Sequence, residues 1–186
     1  MSPRLPPETA PLVVIDLQTG MFDGVAEPAV HDAEGIAARV RAIIEWARGG
    51  HRKIAFIRHD GPEGDPLAPG APGWPVWPAL GQRDDEPTFG KSVGDAFSNP
   101  EFARWVDDQQ TSEVVLVGAQ SDFCVAATVK GAHARGLKVT VVPDAHSTVD
   151  QPDETAEKII ARKNAEFEAA GANLVTTRVL AGSPVT

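Results

Sequence analysis

The sequence predicts an α/β domain whose mainly parallel sheet is covered by helices on both faces, in three layers. Short, apolar, β-branched runs alternate along the chain with stretches of helical periodicity. Those runs are apolar almost throughout rather than at every second residue, the pattern of strands buried on both faces. At 186 residues the chain is also long enough for one such domain with a full core and no staples.

The elements follow in order. MSPRLPPETAP, residues 1–11, has prolines where a secretion signal needs an apolar centre, and reads as a loose tail before a single domain over 12–186. LVVID (Leu12–Asp16) is the first strand. From His31 to Arg48 a helix places Ile36, Val40, Ile43, Ile44 and Ala47 on one face, and Gly49 and Gly50 end it. KIAFI (Lys53–Ile57) is the second strand. His59–Gly90 breaks the rhythm, being rich in Pro and Gly and carrying Trp74 and Trp77. A loop of that length in a compact domain is usually functional, so it is expected to wall a site.

TFGKSVGDAF follows as irregular sequence containing Lys91. Asn99 then caps a helix that has Pro100 at its first position and runs to about Gln110. EVVLVG (Glu113–Gly118) is a strand, and Asp122–Arg135 is a helix ended by Gly136. KVTVV (Lys138–Val142) is the next strand, Asp153–Ala170 a long helix ended by Gly171, and ANLVT (Ala172–Thr176) the last strand.

Composition narrows the partners. The formal charge is −9, with acidic residues spread along the chain and no basic block to neutralise phosphates, which argues against nucleic acid. No apolar run has the length of a membrane span. One cysteine cannot form an intrachain disulfide, which suits a reducing cytoplasm. Neither GxGxxG nor a P-loop occurs, so no nucleotide cofactor is expected, and a small molecule or a protein partner is the default.

The lone cysteine lies in GAQSDFCV, where an apolar strand hands over to a helix. A free Cys is commonly just a small buried hydrophobe. In the first turn of a helix, however, unpaired N–H groups and the helix dipole favour the thiolate, so position makes Cys124 a candidate nucleophile. Asp16 closes the first strand; it is either a turn residue or, if its strand neighbours EVVLVG, a group converging on Cys124 at the carboxyl end of the sheet. Lys91 is equally readable as a solvated lysine. Ser121 is not in a GxSxG elbow, Asp144 and His146 read as a turn, and His31, His51 and His133 sit at helix edges. Phe22, Trp74, Trp77 and Phe97 flank these segments and are candidate pocket walls, with His59 beside them.

LVVIDLQTGMF, FGKSVGDAF, GAQSDFCVAATVKGAHARG and VVPDAHST, in that order, resemble the isochorismatase-like superfamily of cysteine hydrolases over nearly the whole chain. The resemblance implies a three-layer, Rossmann-like fold on a six-stranded parallel sheet. It also implies an Asp16–Lys91–Cys124 triad, a cis peptide at Ala119–Gln120, and an oxyanion hole made by the backbone N–H groups of Gln120 and Cys124. SDFC is similar to the amidohydrolase branch that includes streptothricin hydrolase. The implied activity is cleavage of a small amide or lactam through a thioester on Cys124; the alternatives are vinyl-ether hydrolysis or a non-catalytic metabolite binder. Nicotinamidases of the superfamily carry a DxHxxH-type metal motif, but here the matching stretch, RHDGPEGDPLAPGAPGWPVW, has no second histidine. Neither a metal nor any other cofactor is therefore expected. The resemblance also implies a homodimer or higher homo-oligomer.

Overall fold

Two central strands without a polar face organise the molecule. Every residue of β1 (Leu12–Ile15) and of β4 (Glu113–Ala119) is buried, so both faces of the sheet must be covered. The structure is a computed structural model that describes residues 4–182. Residues 1–3 of the expected tail and 183–186 of the expected domain lie outside the described residues.

β2 (Ile54–His59), β3 (Thr88–Lys91), β5 (Lys138–Ser147) and β6 (Asn173–Leu174) complete a six-stranded sheet in the order β3-β2-β1-β4-β5-β6. All neighbouring strands are parallel. The chain winds outward from β1 to β3, then returns to the centre and winds the other way from β4. The order reverses between β1 and β4, and a crevice opens at such a point beyond the carboxyl ends of the strands. Register sets Ile15 opposite Gly118 there.

Alternate residues of β1 serve opposite layers. Leu12 and Val14 pack with Val40, Ile43 and Ile44 of α1 (Ala33–Gly49) and Leu180 of α5 (Thr177–Ala181). Val13 and Ile15 face a second cluster, with Phe102 of α2 (Pro100–Asp108), Val129 of α3 (Ala126–Ala134) and Phe167 of α4 (Ala156–Ala169). α2 begins as its sequence indicates: the Asn99 side chain accepts from the N–H groups of Glu101 (2.8 Å) and Phe102 (3.2 Å). Among the described residues no helix is long and apolar enough to cross a membrane.

Four expectations change. Lys91 does not lie in irregular sequence but ends β3, an edge strand too short for its alternation to show, with His59 paired to Lys91. β5 runs past Val142 to Ser147, because a register shift between Leu116 and Gly118 takes up Pro143, so Asp144 and His146 belong to a strand rather than a turn. α4 starts at Ala156, later than Asp153, and α5 was not anticipated. The described part of the tail is held down: the Arg52 guanidinium donates to the carbonyls of Pro6, Pro7 and Ala10, and Arg4 pairs with Glu113 at 2.6 Å.

Gly118 sits at the crossing of β1 and β4 with φ 133°, and a Cβ there would overlap the Ile15 carbonyl. Gly136 shares a positive φ of 77° but has open space around its Cβ position. Gly118→Ala is therefore expected to destabilise by about 3 kcal/mol, from backbone strain plus overpacking, against about 1 kcal/mol for Gly136→Ala. Denaturant unfolding of the two variants checks the difference, and equal losses would contradict it.

Candidate active site

Asp16 follows the last residue of β1 in a left-handed conformation (φ 50°), which aspartate tolerates better than most residues. Its N–H donates to the Ile57 carbonyl at 3.0 Å, which fixes the turn against β2. Lys91 arrives at the same level from β3, two strands away. Its Nζ donates to Asp16 Oδ2 at 2.7 Å and to Cys124 Sγ at 3.3 Å. The Asp16 and Lys91 side chains have no solvent exposure at all.

Cys124 belongs to a π-helical turn, Ser121–Val125, between β4 and α3. The Ala119–Gln120 peptide that leads into it is cis. The Gln120 carbonyl accepts from the N–H groups of Phe123 and Val125, both at 3.1 Å, while the N–H of Cys124 between them does not bond it. Ser121 anchors the turn from below. His146 is buried and neutral, since desolvation lowers its pKa, and its Nε2 lies 2.9 Å from Asn164 Oδ1. Asn164 spends its amide N–H on the Pro143 carbonyl, so Nε2 carries the proton and Nδ1 accepts from the Ser121 hydroxyl at 2.8 Å.

Burial dominates the electrostatics. It pushes the Asp16 carboxyl above the ordinary carboxylate range, and Lys91 pulls only part of that back. Burial, reinforced by the Asp16 charge, pushes the Cys124 thiol up to about 12 against the opposing pull of Lys91. This differs from the thiolate expected of a helix N-terminus, because desolvation and a neighbouring carboxylate outweigh the dipole. The site thus holds a protonated thiol beside a carboxylate of raised basicity and a fixed cation, an arrangement suited to moving the thiol proton as the sulfur bonds.

A cavity of about 290 Å³ opens above this group, lined by Asp16, His59, Leu67, Gln120, Phe123 and Cys124 among others. The 59–90 segment does wall it, through His59 and Asp65–Leu67. Four expected wall residues, Phe22, Trp74, Trp77 and Phe97, do not line it. Phe22 stacks on Trp77 at 5.1 Å against the α1 layer. Trp74 lies beneath the Arg58 guanidinium (3.4 Å) and donates from Nε1 to Asp60 Oδ1 (2.8 Å). Phe97 packs on Phe102 at 5.0 Å in the α2 layer. Phe123, 56% exposed, supplies the aromatic face instead.

Sequence reasoning also passed over Gln18. Fully buried, it accepts from the His59 N–H (2.8 Å) and donates to the carbonyls of His59 (3.0 Å) and Trp74 (2.8 Å), tying the end of β2 and the long loop to β1. A Gln directly after an Asp-Leu strand end is the only signal that could have marked it. Ser121, His146 and Asn164 were likewise missed, because they meet only when β5 continues past Pro143.

Residues 10–178 match the family model of the isochorismatase domain. A streptothricin hydrolase of Streptomyces noursei is 30% identical over 141 residues, 76% of this chain and 55% of that protein. Nicotinamidase of Escherichia coli (strain K12) is 36% identical over 73 residues, 39% of this chain and 32% of that enzyme. The matches to the streptothricin hydrolases span about half the length of those proteins. The crystal structure of a cysteine hydrolase from Pseudomonas syringae pv. phaseolicola 1448A superposes with a TM-score of 0.86, covering 95% of both chains at 19% identity.

The His146 network has a consequence for stability against pH. Its folded pKa is lowered from 6.5, so below pH 6.5 the unfolded chain binds a proton that the native state refuses. The stabilisation is complete above that pH and is lost as pH falls, by up to about 1.4 kcal/mol per pH unit. Denaturant unfolding between pH 8 and roughly pH 5 should show this slope in the parent and a shallower one in His146→Asn. Parallel slopes would mean that His146 is not held neutral.

Proposed function

The chain belongs to the isochorismatase family, and from that premise we propose that it is a cysteine hydrolase cleaving the C–N bond of a small carboxamide or lactam. One observation carries the proposal: Lys91 Nζ lies within hydrogen-bond reach of both Asp16 (2.7 Å) and Cys124 (3.3 Å) on the wall of an open cavity. A relative named nicotinamidase supports an amide as the bond broken. The volume, about 290 Å³, sits at the low end of ligand pockets and suits a small substrate.

In this mechanism the substrate carbonyl sits over Sγ. Asp16 takes the thiol proton on Oδ1, the oxygen that Lys91 leaves free, as sulfur bonds to the carbonyl carbon. The N–H groups of Gln120 and Cys124 receive the developing oxyanion. The C–N bond breaks, and Asp16 returns its proton to the departing nitrogen, which stays tethered if the substrate is a lactam. Water then adds to the thioester with Asp16 as base, the carboxylic acid leaves, and the thiol regains its proton. Lys91 keeps its charge throughout, holding Asp16 and steadying the thiolate as it forms.

The thiol starts protonated, so the reaction depends on an ionised Asp16. Because burial raises the pKa of Asp16 above its ordinary 3.8, kcat/KM should fall with decreasing pH along a limb centred above that value. A panel of carboxamides and lactams, with isochorismate as the contrasting ether, should identify turnover of a C–N bond. On that substrate Cys124→Ser should lose at least about 10³ in kcat while remaining folded. Turnover within tenfold of the parent would remove Cys124 from the chemistry, and turnover of the ether alone would overturn the amide assignment.

A further inference from the structure

We propose that Asp16, His59 and Cys124 form a site for a soft divalent cation, zinc foremost, whose binding caps the thiol reversibly. One ligand atom of each residue lies within 4.8 Å of those of the other two. Asp16 is fully buried, and its Oδ1 and the buried Nδ1 of His59 have no hydrogen-bond partner apart from the Cys124 thiol that faces Asp16. Buried polar atoms are almost always paired, so unpaired ones gathered around a sulfur call for an explanation. A single proton can bridge only one pair among a carboxylate oxygen, an imidazole nitrogen and a sulfur. One cation can engage all three.

The donor set selects the ion. Thiolate and imidazole favour zinc over magnesium or calcium, and carboxylate completes a common zinc set. Tetrahedral zinc with bonds of 2.0–2.3 Å places its ligands about 3.6 Å apart, so side chains within 4.8 Å need to close only by about an ångström. All three residues line the same cavity, which supplies an entry path and an open fourth position. Gln18 grips the backbone of His59 on both its N–H and its carbonyl, which fixes where the ring starts.

Charge permits the ion. Lys91 occupies Asp16 Oδ2 and leaves Oδ1 free. Binding expels the thiol proton to solvent and forms the Zn–S bond, so one proton leaves for each ion bound. The dication, the thiolate, Asp16 and Lys91 then sum to one positive charge, and Glu27 and Asp65 line the same cavity to offset it. This set differs from the acidic stretch after His59: Asp60 is already engaged by Trp74 Nε1, and neither Asp60 nor Glu63 joins the cluster found among the described residues. Because the sulfur that the metal takes is the proposed nucleophile, occupancy would switch the site off and shield it from electrophiles.

Cobalt(II) titration of the full chain tests the proposal without using turnover, so its failure and that of the hydrolase reading are distinguishable. Cys124 is the only cysteine, so a thiolate-to-cobalt charge-transfer band can come from no other residue. The band is expected to saturate at one equivalent and to disappear on adding zinc. Micromolar free zinc should slow alkylation of Cys124 at least tenfold, chelator should reverse this, and zinc affinity should rise about tenfold per pH unit near neutrality as the released proton requires. His59→Ala should weaken zinc binding at least tenfold while the variant's near-UV circular dichroism matches that of the parent. Absence of the cobalt band together with unchanged alkylation in zinc overturns the site. Equal zinc affinity in the parent, His59→Ala and Asp16→Asn overturns it as well.

Discussion

A lysine and an aspartate closed off from water, 2.7 Å apart, are the constraint on which the rest of this structure depends. Either charge alone in that position would cost several kcal/mol of desolvation, so each side chain depends on the other being held in place. The pair is contributed by strands that are not neighbours: Asp16 follows β1 and Lys91 ends β3, with β2 between them. A parallel sheet with all its carboxyl ends on one side brings them to the same level. The reversal of strand order between β1 and β4 then sets the cysteine turn beside them.

Around that pair the local devices share one purpose. Gly118 lets β4 pass close to the Ile15 carbonyl, Ser121 ties the turn to a neutral His146, and Gln18 ties β2 and the long loop to β1. Their effect is to hold a half-buried thiol next to a carboxylate and an ammonium that are closed off from water. Burial raises the pKa of both the thiol and the carboxyl, so the proposed mechanism rests on a proton acceptor beside sulfur rather than on a standing thiolate. The same burial leaves Asp16 Oδ1 and His59 Nδ1 without partners beyond the thiol, the feature behind the proposed cation site.

Much of this was legible in residue order. Apolar runs placed β1, β2 and β4 within a residue or two, and Asn99-Pro100 marked the start of α2 to the residue. Position marked Cys124 and left Asp16 open, the family resemblance added Lys91, and the structure brings the three together. What the sequence hid was whatever depended on a partner far along the chain. β3 has four residues and owes its strand form to β2. The continuation of β5 past Pro143 depends on a bulge that no local pattern announces. Phe22, Trp74 and Phe97 are near the motifs in sequence, yet each found a better apolar or stacked partner away from the cavity. The thiol pKa went astray for a related reason, since a helix terminus is visible in sequence and burial beside a carboxylate is not.

The coupling of that carboxylate to the thiol is the central claim, and the pH dependence of Cys124 alkylation in the parent and in Asp16→Asn measures it directly. In the parent the rate should keep rising toward the thiol midpoint of about 12. Removing the Asp16 charge leaves Lys91 alone beside the sulfur, so the midpoint should move down and the thiol should alkylate faster near neutral pH, even though the proposed base is gone. A midpoint that stayed in place or rose in Asp16→Asn would contradict the account.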